Sequence, residues 1–269
     1  MKRVLRRWGD SFNIIRRHPV ILSPFILIAF LNAAALYIVY LAPQRPVSYV
    51  LAPPIKAFFG ERFLHYPLNL VLTPKLFYYA QVFVNATFGV VLSALAVLMI
   101  AKVYTREKPS FLINIIETIK KYFPLFFVWL ISFTLATIVF RLFLKAYGSP
   151  EGVRSIFDVS AAFLLSVIVQ IMFIYATPLI IIEKKPFFSA LVENVRVVAK
   201  LFVPTLFLVI LPALLYLPVL VFKSKSLYLM EKFFPEAVLL VPMAGILVTF
   251  FVDLLIITSI TILFLKERA

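Results

Sequence analysis

Apolar residues run along this chain in six long blocks, set apart by shorter segments rich in Lys and Arg. The blocks cover approximately Pro19–Leu41, Phe77–Ala101, Tyr122–Leu144, Ala161–Ile182, Leu201–Phe222 and Val238–Leu265. Each carries at most one charged residue. Each is also long enough to cross a bilayer, which takes about 20 apolar residues at roughly 1.5 Å apiece. Inside lipid the backbone must satisfy its own hydrogen bonds, which a helix does. The pattern predicts an all-α, polytopic membrane protein with six transmembrane helices. The first block follows a basic N-terminus, as a signal sequence would. It is longer than a typical signal core and no A-x-A-like site follows it closely, so it reads as a retained helix.

The segments between blocks repeat. Setting Glu107 over Glu183 also aligns Lys108 with Lys184, Phe111 with Phe187, Ile116 with Val192, Glu117 with Glu193 and Lys120 with Arg196. The N-terminus joins this alignment, with Phe12 over Ile116 and Arg16 and Arg17 over Lys120 and Lys121. In each copy helical spacing gathers apolar residues on one face: Val4, Leu5, Trp8, Phe12 and Ile15; Phe111, Leu112, Ile115, Ile116 and Ile119; Phe188, Leu191, Val192, Val195 and Ala199. The unit is a short amphipathic interfacial helix followed by a transmembrane hairpin. Three parallel copies imply a pseudo-threefold bundle. The chain reads as one transmembrane domain, 1–269, with units of approximately 1–105, 106–182 and 183–269. An external loop, 42–75, elaborates the first unit. Its Pro43, Pro46, Pro53, Pro54, Pro67 and Pro74 argue against a long regular helix there.

Composition agrees: 63% of residues are hydrophobic and 14% charged, outside the range of soluble domains. The longest connection, Ala42–Lys75, is too short for a separate catalytic domain. With no cysteine, disulfides, thiolate nucleophiles and Cys-based metal sites are excluded. The net charge of +15 lies mostly beside the blocks. The positive-inside rule then places both termini in the cytoplasm of a multi-pass cell-membrane protein. Arg6, Arg7, Arg16, Arg17, Lys120, Lys121, Lys184, Lys185, Arg196 and Lys200 are the candidate contacts to anionic headgroups, at about 1 kcal/mol each. Their position next to spans points to lipid rather than nucleic acid. A collar packed on the bundle ends is the competing account of the same helices, and both can hold together.

The stretch Tyr175–Asn194 reads YATPLIIIEKKPFFSALVEN. It resembles the P-L-I-[apolar]-E-x-K…A-L…[NS] segment of the six-helix membrane domain found in some bacterial glycerophosphodiester phosphodiesterases. Related uncharacterised integral membrane families carry similar segments. The matching positions are Pro178, Leu179, Glu183, Lys185, Ala190, Leu191 and Asn194. The resemblance implies the six-helix architecture. It implies no catalysis, because the soluble phosphodiesterase domain is absent from this sequence.

Two charges fall inside the blocks. Arg141 sits about three residues from the outer end of its span, where it can snorkel to the headgroups. Asp253 lies roughly 16 Å past Pro242 at 1.5 Å per residue. A carboxylate at that depth costs at least about 2.5 kcal/mol on insertion scales, so it should face the protein interior. Gly245 and Thr249 share its face; Gln81, Asn85, Gly89 and Ser93 form a similar stripe on the second span; Ser166, Gln170 and Thr177 form one on the fourth. Asn32, Gln170 and Asp253 sit at matching depth and make the candidate midplane site. Small and polar residues also mediate helix packing in membranes, and with no cationic partner at its depth Asp253 reads first as a packing residue. Pro212 and Pro218 interrupt the fifth span.

No nucleotide-binding, zinc-protease or serine-hydrolase motif occurs, and His18 and His65 do not make a metal site. The chain is therefore expected not to be an enzyme and to need no cofactor or metal. The leading reading is a membrane module associated with lipid or with a partner membrane protein. The alternative is a small-molecule or ion transporter or permease subunit using the midplane site. A dry, packed interior favours the first; a water-accessible cavity reaching Asp253 favours the second. Because the chain lacks cysteine, single cysteines report topology directly. Cysteines at Ser48, Gly148 and Ser226 should label from outside the cell and those at Ser110 and Ser189 only from inside; external labelling at Ser110 would overturn the topology.

Overall fold

The structure is a computed structural model that describes residues 2–147 and 152–268. Helix α1 (Lys2–Arg17) leads through a 3-10 turn at Pro19–Leu22 into α2 (Ser23–Leu41). Then come α3 (Ser48–Phe59), α4 (Leu68–Val84) and α5 (Val90–Tyr104), the last two joined by a π-turn at Asn85–Gly89. Next are α6 (Phe111–Ile119), α7 (Tyr122–Tyr147), α8 (Gly152–Ile171) and α9 (Ala176–Ile181). The chain ends with α10 (Phe187–Ala213), a 3-10 turn at Leu214–Tyr216, α11 (Leu217–Ser224), α12 (Ser226–Lys232) and α13 (Ala237–Arg268). Among the described residues there is no strand, and six helical stretches are long and apolar enough to cross a membrane. They are Pro19–Leu41, Leu68–Tyr104, Tyr122–Tyr147, Ile156–Ile181, Phe187–Lys223 and Ala237–Arg268. The protein is an all-α, polytopic membrane protein.

The external loop is more helical than its prolines suggest. Pro53 and Pro54 lie inside α3, and Pro74 lies inside α4, which starts nine residues before the apolar block. Proline's fixed φ suits a helix; what it removes is one hydrogen bond per residue. No residue of α3 is buried, so the freed carbonyls stay open to solvent.

The amphipathic segments also differ in how they end. After α1, His18 precedes a proline and is driven to φ −132°, ψ 71°, which breaks the helix. After α6, the chain turns at Lys120–Lys121. The third segment instead runs unbroken into its span as α10, because Pro204 arrives only after the helix is well established.

The second, fourth and sixth spans are about half buried or more, and the first, third and fifth a third or less. The even spans therefore form an inner layer. Each outer helix packs on its own hairpin mate and on the inner helix of the preceding hairpin: α2 on α4, α5 and α13; α7 on α8 and α5; α10 on α13, α8 and α9. The main core gathers Ile171, Tyr175, Leu179, Leu208 and Phe264. A second cluster joins Ile21 and Phe25 to Leu95, Met99 and Ile262.

The fourth span is broken between α8 and α9, where Met172–Tyr175 form tight turns. Pro178 cannot donate to the Ile174 carbonyl, so a regular ladder cannot continue. Asn194 of α10 repairs the break from across the bundle. Its Oδ1 accepts from the Tyr175 N–H at 3.0 Å, and its Nδ2 donates to the Met172 carbonyl at 2.5 Å. The Tyr175 hydroxyl lies 2.5 Å from Thr205 Oγ1. Asn194, Tyr175 and Thr205 are all buried. Replacing Asn194 by Leu strands the buried Tyr175 N–H and the part-buried Met172 carbonyl and should cost about 2 kcal/mol of stability. Val192→Asn, on the exposed face, should stay within about 0.5 kcal/mol in the same detergent unfolding assay.

Candidate functional site

A cavity of about 510 Å³ lies at the centre of the bundle, walled by residues from all six spans. This is ample for a small organic ligand. Its polar positions include Asn85 and Ser93 of the second span, Ser132 of α7, Gln170 and Thr177 of the fourth span, and Thr249 and Asp253 of α13. Trp129, Phe163, Phe173 and Tyr216 supply aromatic wall. Phe163 stacks on Tyr216 with ring centroids 5.7 Å apart.

Three backbone irregularities border this space. The π-turn contributes Asn85 and Gly89, the break after α8 contributes Phe173 and Ile174, and the 3-10 turn before α11 contributes Tyr216. Gly89 lies close against Asn85: a Cβ there would stand 3.1 Å from Asn85 Oδ1, so that side chain would have to give by a few tenths of an ångström. An irregular backbone at membrane depth is tolerated where protein or a cavity surrounds it.

Among the described residues Asp253 makes no hydrogen bond and no ion pair. It is only half-buried despite its depth, because it fronts the cavity, and Gln170 is exposed for the same reason. Asp253 thus has Tyr216 as an electrostatic neighbour on the same wall but no hydrogen-bonding or ionic partner among the described residues. It also fronts a second chamber of about 20 Å³, formed with Asn32, Gln81, Asn85 and Thr249. Asn32 and Gln170 therefore meet Asp253 from different chambers. A third space of similar size shares Gln81 with the second chamber and Tyr216 with the cavity. It ends at Lys223, whose Nζ sits 5.2 Å from the centre of the Tyr78 ring. Arg141 is exposed on α7 and takes no part in the three chambers.

The site residues missed from sequence are Trp129, Ser132, Phe163, Phe173, Tyr216 and Thr261. Pro212 and Pro218 flank Tyr216, and that pair was the available signal for it. Ser132 lies on a span without a marked polar stripe, whereas Thr261 falls eight residues beyond Asp253 and continues the stripe of Gly245, Thr249 and Asp253.

Both termini reach one end of the bundle, where α1, α6, the start of α10 and the end of α13 meet. Lys266 binds Asp10 at 2.6 Å, and Arg268 Nε lies 3.0 Å from Glu183 and pairs also with Glu193. Lys185 bridges Glu183, at 2.8 Å, and Glu193. Hydrogen bonds to Glu183 and then Glu193 hold its ammonium above the ordinary lysine range. Lys184 lies 3.7 Å from Glu117, and Lys200 lies 3.4 Å from Glu267. Three of the candidate lipid contacts, Lys184, Lys185 and Lys200, thus hold partners within the protein. Arg16, Arg17, Lys120 and Arg196 are exposed and Lys121 is half-buried. Arg6 and Arg7 lie on α1, but their side chains fall outside the described residues.

The amphipathic helices turn polar or small residues inward: Ser11, Asn114, Thr118, Ala190 and Asn194 are buried. The expected apolar faces split. Phe111 and Ile115 pack on the core, while Leu112 is 74% exposed and Phe188 79%, with Ile116, Ile119, Val192 and Val195 exposed beside them. Family models, curated proteins and solved structures offer no match to this chain.

Trp129 is one of two tryptophans and lines the cavity, whereas Trp8 packs on the core. In a Trp8→Phe variant, Trp129 emission should be quenched by acrylamide added from water more strongly than by brominated lipid tails. The reverse order would show a dry cavity.

Proposed function

We propose that the protein is a permease-type cell-membrane protein, with cytoplasmic termini, that takes a small, largely apolar organic cation into its central cavity. The observation carrying this reading is the cavity itself, which reaches an unpaired midplane carboxylate. An ionisable residue kept at such depth against its insertion cost is a mark of a substrate or ion path. The walls are mostly apolar and aromatic, with few polar groups, as in pockets for small molecules. Trp129, Phe163 and Tyr216 offer ring faces that attract a cation at about 0.5–2 kcal/mol each, and Asp253 supplies the only negative charge on that wall. The cyclic packing of outer on inner helices supports three parallel repeats around this site. Repeat interfaces are where secondary transporters place their ligands.

The module reading called for a packed interior, and the cavity favours the alternative over it. Contact with lipid at the terminal end fits both readings. The outward faces of α6 and α10 and the exposed Arg16, Arg17, Lys120 and Arg196 suit an anionic headgroup layer. No catalytic role is proposed.

Asp253→Asn separates chemistry from packing, because it keeps the shape and removes only ionisation. Purified full-length protein should bind tetraphenylphosphonium saturably in equilibrium dialysis. The variant should keep its gel-filtration profile and melting temperature while losing affinity at least about tenfold, or about 1.4 kcal/mol. Equal binding by the folded variant would sink the proposal.

A further inference from the structure

We propose that the small chamber beside Asp253 is a site for a monovalent alkali cation, whose balancing charge is the carboxylate that the central cavity also uses. Only the competition described below rests on the solute-binding reading; the site itself does not.

Size comes first. The chamber measures about 20 Å³, the scale of a water molecule or a single small ion. Its polar lining comes from Asn32, Gln81, Asn85, Thr249 and Asp253. These offer amide, hydroxyl and carboxylate oxygens and no sulfur or imidazole, the donor set of a hard cation. One carboxylate balances one positive charge. A divalent ion would leave a net charge in the membrane interior, which is costly.

Asn32 supplies the independent indication. It is only 5% exposed, and its Nδ2 donates to the Ile28 carbonyl at 2.9 Å. That bond fixes which end of the amide is which, leaving Oδ1 as a buried acceptor with no hydrogen-bond partner. A buried acceptor facing a carboxylate-bearing chamber calls for a donor or a positive charge between them. No Lys or Arg lines this chamber; Lys223 belongs to the adjoining space, over Tyr78.

Asp253 fronts both chambers, so one carboxylate serves two cations. An alkali ion in the small chamber then weakens binding of a cationic solute in the large one, and the solute weakens binding of the ion by the same factor. This is the arrangement of an exchanger.

Asn32 lines the small chamber and not the cavity, which makes the test selective. Melting of the full-length protein in detergent is followed in sodium, potassium or choline chloride at constant ionic strength. Sodium or potassium should raise the melting temperature saturably over choline, as any ligand of the folded state does. Asn32→Leu and Asp253→Asn should both abolish the rise. Saturating alkali ion should weaken tetraphenylphosphonium binding about tenfold in the natural protein, an ordinary coupling. It should have no such effect in Asn32→Leu, which still binds the probe. Should Asn32→Leu fold poorly, Thr249→Val removes one oxygen from the chamber at nearly constant shape and should reduce the alkali effect. The inference is overturned if alkali ions leave the melting temperature at the choline value, as a chamber holding only water would. It is equally overturned if the rise survives Asn32→Leu or, where that variant folds poorly, Thr249→Val. An Asn32-dependent rise without probe binding would uphold the site and sink the solute reading instead.

Discussion

Every feature of this bundle answers to one constraint: a backbone in lipid must find its hydrogen bonds within the protein. Unbroken helices meet it locally, and α7, packed chiefly on its hairpin mate, is such a helix. Three spans do not meet it locally. The second carries a π-turn, the fourth a four-residue break and the fifth a 3-10 turn between two prolines. Each exposed backbone group has to be met by another element or by a polar space. Asn194 meets two of them in the fourth span, from a different hairpin. The Asn194 bonds therefore tie two hairpins together.

The same breaks border the cavity. Small and polar residues on the second, fourth and sixth spans could have served close helix packing, as such residues do in membranes. Instead the irregular turns contribute Gly89, Ile174 and Tyr216 to the cavity wall, and Asn85, Ser93, Gln170, Thr177, Thr249 and Asp253 of the polar stripes line it beside them. Asn85, Gln170 and Asp253 keep accessible surface at a depth where lipid would be intolerable to them.

At the terminal end the polarity of the amphipathic helices is arranged for two neighbours at once. Ser11 meets Ser259 at 3.2 Å, and Asn114 accepts from Lys102 at 2.6 Å, so polar positions lock onto the bundle. Leucine, isoleucine, phenylalanine and valine side chains look outward. In a soluble protein this orientation would be inverted; beside lipid it exposes apolar surface where no water is excluded by burying it. The ion pairs among Asp10, Glu117, Glu183, Glu193 and the neighbouring bases are partly exposed, worth about 0–1 kcal/mol each. Their role is orientation: Lys266–Asp10 and Arg268–Glu183 tie the end of α13 to α1 and to the segment before α10.

What the sequence determined by itself is what depends on composition and period. Six apolar blocks of bilayer length specify six helices. The inward stripes on the even spans and the depth of Asp253 follow from periods of three and four. The break after α1 follows from His18 standing before Pro19. Tertiary structure decided the rest, because it depends on distances between elements that no local pattern encodes. Asn194 reads as one more polar residue until Tyr175 and Met172 are brought against it. Pro53, Pro54 and Pro74 read as helix breakers until the fold carries α3 and α4 through them. Lys185 reads as a lipid contact until Glu183 and Glu193 close around it. Asn32 and Gln170 share a depth with Asp253, but only the packing angles put a wall between them and made Asp253 common to both chambers. Whether a polar stripe is glue or the lining of a cavity is set by a few ångströms of helix separation, and that separation exists only once all six spans are assembled.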